Sequence, residues 1–158
     1  MRAAVLDASP VIILARAGFV ELLPKLLSPI VMPQAVSDEI HAGSADDPAR
    51  RFLTRSPDWL SFVEVAPALS PLGSWRLGLG ESEVLEYARQ HPGTVAVLDD
   101  KAARRAAEVL QLPMTGTLGL LVAAVQSGLL PSLAEALEAA RHSGLHVAPA
   151  TMAALTKR

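Results

Sequence analysis

Seven consecutive residues near the middle of the chain, Thr-Val-Ala-Val-Leu-Asp-Asp at 94–100, constrain the fold more than any other stretch. The apolar run within it, residues 95–98, predicts a strand buried on both faces, as the strands of parallel sheets are. Two carboxylates follow at once, and then a helical pattern. The N-terminus repeats this arrangement, because an apolar run at 3–6 precedes Asp7 and a second helical pattern. Open α/β sheets bind ligands where strands end and helices begin, so both acidic strand ends are candidate functional positions.

Short apolar runs and helical patterns alternate along the rest of the chain. Strands are predicted at about 3–7, 29–33, 60–65, 95–98 and 113–115, and helices at about 10–16, 19–27, 34–41, 48–55, 80–90, 100–110, 117–127, 131–142 and 150–156. The alternating strand 60–65 is predicted nearer a sheet edge, and residues 66–78, with two prolines and two glycines, form a loop. We therefore predict a single domain, residues 1–158, with a three-layer α/β/α sandwich around a mostly parallel sheet of about five strands.

Composition narrows the functional classes. The chain has 158 residues, is 51% hydrophobic and only 19% charged, which predicts one folded core rather than disorder. No apolar run reaches the roughly 18–20 residues of a membrane span, and the N-terminus lacks the shape of a signal peptide. Zero cysteines exclude disulfides and thiolate metal sites and fit a reducing compartment. The net charge of −2 gives no overall basic field. We expect a soluble cytoplasmic protein.

Five carboxylates are predicted to meet at one edge of the sheet. Asp7 and Asp99 follow strands directly, and Asp100 opens the next helix. Glu81 lies in the first turn of its helix, and Glu39 lies about 8 Å along another helix, within side-chain reach of the same edge. In a parallel sheet, the carboxyl ends of strands and the amino ends of the following helices share that edge.

Carboxylates crowded in this way repel one another unless a cation lies among them. Oxygen ligands suit a hard divalent cation such as Mg²⁺ or Mn²⁺, and the four histidines show no zinc-like spacing. Two such ions can clamp the attacking and leaving oxygens of a phosphodiester in an in-line displacement. The acids therefore favour metal-assisted phosphoryl chemistry.

Each candidate residue also has a structural interpretation. Asp100 could cap its helix, Glu81 could complement a helix dipole, and Glu39 could be a solvated helix residue. Three hydroxyl groups near the edge could orient a water molecule or a phosphate, namely those of Ser9, Thr115 and Thr117. Ser9 also suits the N-cap of the first helix, and capping is the favoured interpretation of Thr117. The remaining acids between positions 38 and 86 are interpreted as surface residues. The paired arginines at 50–51 and 104–105 are interpreted as solvated helix faces, and a local basic patch beside the acidic site is the alternative.

The ordered set of motifs resembles the PIN-domain family, and in particular a prokaryotic subgroup of predicted nucleic-acid-binding proteins. The resemblance spans residues 3 to 145 and rests on five segments: Asp7-Ala8-Ser9-Pro10-Val11-Ile12, Pro33-Gln34-Ala35-Val36-Ser37-Asp38-Glu39-Ile40, Leu77-Gly78-Leu79-Gly80-Glu81-Ser82-Glu83, Leu98-Asp99-Asp100-Lys101-Ala102-Ala103-Arg104 and Thr115-Gly116-Thr117-Leu118-Gly119. The chain differs from the better-known toxin members in its long insert before Gly78 and in its Leu-Asp-Asp ending.

The resemblance implies an α/β/α sandwich and a Mg²⁺- or Mn²⁺-dependent ribonuclease that cleaves single-stranded RNA. It also implies that Asp7, Glu39, Glu81 and Asp99 hold the metals, that one of them activates water, and that Asp100 is a candidate fifth ligand. Many members of the family are toxins silenced by a small DNA-binding antitoxin, and many dimerise. The resemblance therefore implies an antitoxin partner and a homodimer as further expectations.

Two other functional classes also place acids at the ends of strands. A binding module of the same fold, which recognises RNA or a protein partner with weak or no cleavage, keeps the same acids and differs only in metal affinity and turnover. A phospho-acceptor receiver or a haloacid-type phosphatase also places acids at strand ends. The phosphatase is disfavoured because Ser9 stands where a second aspartate is needed, and the receiver because Val65 is followed by Ala66-Pro67 rather than an acid.

Overall fold

A five-stranded sheet, parallel throughout, forms the middle layer of the molecule. The computed structural model describes residues 1–66 and 76–156. The strands are β1 (Arg2–Leu6), β2 (Leu27–Pro33), β3 (Leu60–Val63), β4 (Val95–Val97) and β5 (Met114–Thr115). Their order across the sheet is β3-β2-β1-β4-β5. The predicted α/β/α sandwich is confirmed.

Helices cover the sheet, and most begin and end within a residue or two of the predicted positions. They are α1 (Ala8–Ala17), α2 (Leu22–Leu26), α3 (Gln34–His41), α4 (Pro48–Thr54), α5 (Leu79–Gln90), α6 (Lys101–Val109), α7 (Thr117–Gln126), α8 (Leu133–His142) and α9 (Pro149–Thr156). Residues 67–75 of the predicted loop lie outside the described residues. Among the described residues, no helix is both long and apolar enough to cross a lipid bilayer.

Two predicted helix starts were wrong. The helix predicted at 19–27 begins only at Leu22 and ends at Leu26, because Leu27 already belongs to β2. Helix α1 begins at Ala8 rather than after Ser9, so Asp7 occupies the N-cap position. Proline lacks a backbone N–H, and the first N–H groups of a helix have no intrahelical partner, so Pro10 fits in the first turn without starting the helix.

The core lies on both faces of the central strands. The side chains of β4 are fully buried, as are those of residues 4–6 in β1. The predicted edge position of β3 is confirmed, because it pairs only with β2 and leaves Phe62 39% exposed. Buried central strands and a wetter edge are the usual pattern of a doubly covered parallel sheet.

The strand order reverses between β1 and β4, and this crevice places the candidate site. From β1 the chain crosses to β2 and β3 on one side, then returns to β4 and β5 on the other. Leu6 pairs with Val97, and the backbone N–H of Asp7 donates to the carbonyl oxygen of Val97 at 3.1 Å. Asp7 and Asp99 therefore emerge side by side at the switch point, where open α/β sheets bind ligands.

Candidate active site

Asp7 is a buried carboxylate at the bottom of the crevice. Its exposed fraction is 3%, and Oδ1 accepts no hydrogen bond from any described residue. Burial raises the pKa of Asp7 to about 7; the Ala8 N–H opposes this rise, and the charges of Glu81, Glu39 and Asp99 add to it. A buried acid that lacks a positive partner costs stability, which marks it as a candidate functional group.

Asp99 is held from the opposite side of the crevice by the start of α7. The backbone N–H of Thr117 donates to Oδ1 of Asp99 at 2.8 Å, and the Thr117 hydroxyl donates to Oδ2 at 2.6 Å. Gly116 makes this approach possible, because a Cβ atom there would lie 2.7 Å from Asp99 Oδ1 and 2.9 Å from the Leu98 carbonyl oxygen. The two hydrogen bonds fix the direction in which the carboxylate points.

Glu81 and Asp100 face each other across the rim of the site. Burial raises the pKa of Glu81, as do the charges of Asp100 and Glu39 and a hydrogen bond to the Asp100 side chain. Asp100 also caps α6, where its Oδ2 accepts from the Ala103 N–H at 3.0 Å. The predicted capping role of Asp100 is confirmed, and its role as a fifth metal ligand stays a prediction.

Glu39 approaches the same rim from α3. Its side chain is exposed, and Oε2 lies 3.2 Å from the position that a Cβ atom would take at Gly80. The missing side chain at Gly80 therefore lets α3 and α5 pack closely enough for Glu39 and Glu81 to interact. The five predicted carboxylates thus lie close enough to interact electrostatically. Three of them raise the pKa of Asp7, and Asp100 and Glu39 raise the pKa of Glu81.

A family model described as a PIN domain matches residues 3–158. The chain belongs to the PIN-domain family. PIN domains are generally nucleases and typically use divalent metals, so the nuclease-type fold implied by the motifs is confirmed. No curated protein matches the chain significantly.

The donor chemistry of this PIN domain fits a hard divalent cation. Carboxylate and hydroxyl oxygens are the possible ligands here, and the orphaned Oδ1 of Asp7 is a buried acceptor that a cation would satisfy. Within residues 1–66 and 76–156, no three acids or histidines lie close enough to share one ion as they stand. Repulsion between unneutralised carboxylates favours such a spread arrangement. The individual ligands therefore stay predictions, with Asp7 the strongest.

Thr117 supports Asp99 and does not cap its own helix. Gly116 holds the N-cap position of α7, and Thr117, fully buried, is the first helical residue. The capping interpretation of Thr117 was therefore wrong, since the hydroxyl serves the neighbouring carboxylate instead. Ser9, the other predicted supporting hydroxyl, is exposed beside Asp99, and its role stays a prediction.

We expect Thr117→Val to lower RNA cleavage and Mn²⁺ affinity by about 10–100-fold, the usual loss when a residue that orients a metal ligand is removed. Valine keeps the shape of threonine but cannot donate to Asp99 Oδ2. Thr117→Ser is the matched control, because serine retains the hydroxyl and lacks only the methyl group of threonine. Metal titration and cleavage rates measure both variants, and wild-type values for Thr117→Val would show that the hydrogen bond is not needed.

Three acids interpreted as surface residues have structural partners, and for Glu86, which is buried, the surface interpretation was wrong. Oε2 of Glu83 accepts from the Ala35 N–H at 3.2 Å, so it ties α5 to the amino end of α3. Glu86 is buried, with an ion pair to Arg89, and Asp47 caps α4 and pairs with Arg16. Glu83 matters most here, because it connects the helices that carry Glu81 and Glu39. A contact between residues 48 positions apart leaves no local signal in the sequence.

Arg104, from one of the two arginine pairs, lies beside the acids, as the alternative interpretation of those pairs expected. It is half-buried, and its Nη1 donates to the Leu98 carbonyl oxygen at 2.9 Å. The same nitrogen would lie 2.8 Å from a Cβ atom at Gly116, so the guanidinium group flanks the Asp99 carboxylate. Among the described residues, no acid forms a salt bridge with Arg104. Its interpretation as part of a solvated helix face was therefore wrong.

Proposed function

We propose that this PIN domain is a divalent-metal-dependent endoribonuclease that cleaves single-stranded RNA. The observation that carries the proposal is Asp7, a buried acid with an unpaired oxygen, surrounded by other acids at the switch point of the sheet. No positive group among the described residues shifts the pKa of Asp7 downward, so a cation is the simplest partner for this buried oxygen.

Each acid has a defined task in this proposal. Asp7, Glu39, Glu81 and Asp99 would hold Mg²⁺ or Mn²⁺, which supplies charge neutralisation at the phosphodiester and lowers the pKa of water. Thr117 keeps Asp99 oriented through its two hydrogen bonds. One of these four acids would accept the proton of the attacking water. Asp100 shapes the rim by starting α6 beside Glu81.

A second candidate is a binding module of the same fold with weak or no cleavage. The spread of the carboxylates among the described residues favours it, since no three of them converge on one point. The toxin role, the antitoxin partner and the homodimer implied by the family resemblance stay predictions, and none of them is needed for the cleavage chemistry proposed above.

Cleavage of a labelled single-stranded RNA tests the proposal. We expect cutting with Mn²⁺ or Mg²⁺ and none with EDTA, and a rate for Asp7→Asn lower by orders of magnitude, each factor of ten corresponding to about 1.4 kcal/mol of barrier. A duplex of the same sequence is the substrate control. Cutting that survives both EDTA and Asp7→Asn would be a contaminant and would remove the support for the mechanism. Metal binding by the wild type without cutting would favour the binding module.

A further inference from the structure

A cavity of about 710 Å³ adjoins the candidate active site: Asp99 and Asp100 line it, whereas Asp7, Glu39 and Glu81 do not. The start of α6 and the turn from β5 into α7 form one side of it. The C-terminal segment, here residues 144–151, forms the other side and leads into α9. The volume falls within the roughly 300–1,000 Å³ that small-molecule sites usually have.

The lining of this cavity combines polar and apolar surfaces. Basic groups of Lys101 and Arg104 lie on the side of α6, next to the two aspartates. Apolar side chains supply much of the remaining wall, and they come from three separate parts of the chain: Ile13, Met114, Leu118, Leu145 and Val147. An amphipathic ligand suits this lining, with an anionic group at Lys101 and Arg104 and a flat or apolar part against the other wall.

The guanidinium group of Arg104 is preorganised for an anion. Its bond to the Leu98 carbonyl oxygen occupies Nη1 and fixes the side chain beside Asp99. Among the described residues it has no carboxylate partner, so its charge remains available for a ligand at the cavity. An arginine held by a backbone carbonyl presents its planar fork with little further loss of side-chain freedom, which suits phosphate recognition.

We propose that this cavity binds one nucleotide of the RNA next to the scissile phosphodiester, with its phosphate at Arg104 and Lys101 and its base against the apolar wall. The inference rests on the proposed ribonuclease function and adds a subsite to it. Asp99 and Asp100 line the same cavity, so a nucleotide there adjoins the acids of the active site. A base stacked on apolar or ring surfaces is bound with little regard to sequence, and His146 adds a ring to this wall.

Titration with ribonucleoside 5′-monophosphates in EDTA tests the subsite without cleavage. NMR should show saturable shifts of the methyl groups of Leu118, Leu145 and Val147. Ala148→Trp, an exposed position that lines the cavity, should fill it and weaken binding by about tenfold or more. Ala150→Trp is the matched control, because Ala150 is exposed on the same segment but does not line the cavity. Arg104→Gln should weaken binding by about tenfold through loss of the charged donor.

The outcomes separate this inference from the proposed function. Shifts that disappear in Ala148→Trp and persist in Ala150→Trp support the subsite, even if the protein cuts no RNA. Equal effects of inorganic phosphate and of the nucleotides would mean a basic patch only and would overturn it. Nucleotide binding that both tryptophan variants leave unchanged would also overturn it, while metal-dependent cleavage could still stand.

Discussion

Asp7→Asn is expected to make the metal-free protein more stable by up to about 4 kcal/mol at pH 8, and to remove the proposed metal-dependent cleavage. The pKa of Asp7 is raised from 3.8 to about 7, chiefly by burial. A pKa difference of one corresponds to about 1.4 kcal/mol, so ionisation of this group costs several kcal/mol in the folded state. Asparagine keeps the shape and carries no charge to desolvate.

The sign of the pH dependence follows from proton linkage. The folded pKa lies above the unfolded one, so between about pH 4 and pH 7 the folded protein binds more protons than the unfolded chain. The contribution of Asp7 to the free energy of unfolding therefore falls as the pH rises through this window, and the loss is complete above about pH 7. Asp7→Asn lacks this fall, so the two proteins should differ little near pH 4 and most at pH 8.

Denaturant unfolding at several pH values in EDTA measures this difference. Asp46→Asn is the control, since Asp46 is exposed and is not one of the five acids of the candidate site, here called the acid rim (Asp7, Glu39, Glu81, Asp99 and Asp100). An Asp7→Asn protein with the same pH profile as wild type would mean that Asp7 is not a buried, unpaired acid, and the main reason for placing a cation there would fail.

Gly116→Ala is expected to destabilise the fold by about 1–3 kcal/mol, as inserted methyl groups in tight packing usually do, and to lower cleavage by about 100-fold. The new Cβ atom would lie 2.7 Å from Asp99 Oδ1, 2.8 Å from Arg104 Nη1 and 2.9 Å from the Leu98 carbonyl oxygen. The carbonyl belongs to the backbone beyond β4 and cannot rotate away. The start of α7 must therefore move, and Thr117 moves with it away from Asp99.

Gly78→Ala is a closely matched control for this variant. Gly78 and Gly116 are both N-cap glycines with extended backbone, so the effects of alanine on capping and on chain entropy are shared. Among residues 1–66 and 76–156, a Cβ atom at Gly78 would meet only Glu81 Oε1, at an ordinary 3.7 Å. We expect Gly78→Ala to change the free energy of unfolding by less than about 1 kcal/mol. Equal losses in the two variants would show that the clash at Gly116 does not matter.

The sequence predicted the fold and the candidate acids because both depend on local patterns. Apolar runs that end in acid identify β1 and β4, and a parallel sheet necessarily brings the ends of its strands to one edge. The family match over residues 3–158 agrees with the ordered motifs. Prediction was weakest at helix starts. Pro10 and Pro24 each lie inside the first turn of a helix, because proline is tolerated there as well as at the first helical position.

What the sequence could not predict are the contacts between distant segments. Thr117 was interpreted as a cap because threonine favours that position, but the chain crosses over so that its hydroxyl reaches Asp99, 18 residues away. Glu83 resembles an ordinary helix-surface residue, and only the packing of α5 on α3 gives it a partner. Likewise, the steric demand at Gly116 exists only once Leu98 and Arg104 surround it.

Calorimetric titration of the wild type with Mn²⁺ at pH 7.5, alongside Asp7→Asn and Glu81→Gln, would test whether the acid rim is a metal site. We predict saturable binding to the wild type and affinities at least tenfold weaker in both variants, because each removes a charged oxygen ligand. Glu108→Gln, at an exposed position on α6, should bind Mn²⁺ as the wild type does. Binding that both rim substitutions leave unchanged, or no binding by the folded wild type, would contradict a metal-dependent active site at the junction of β1 and β4.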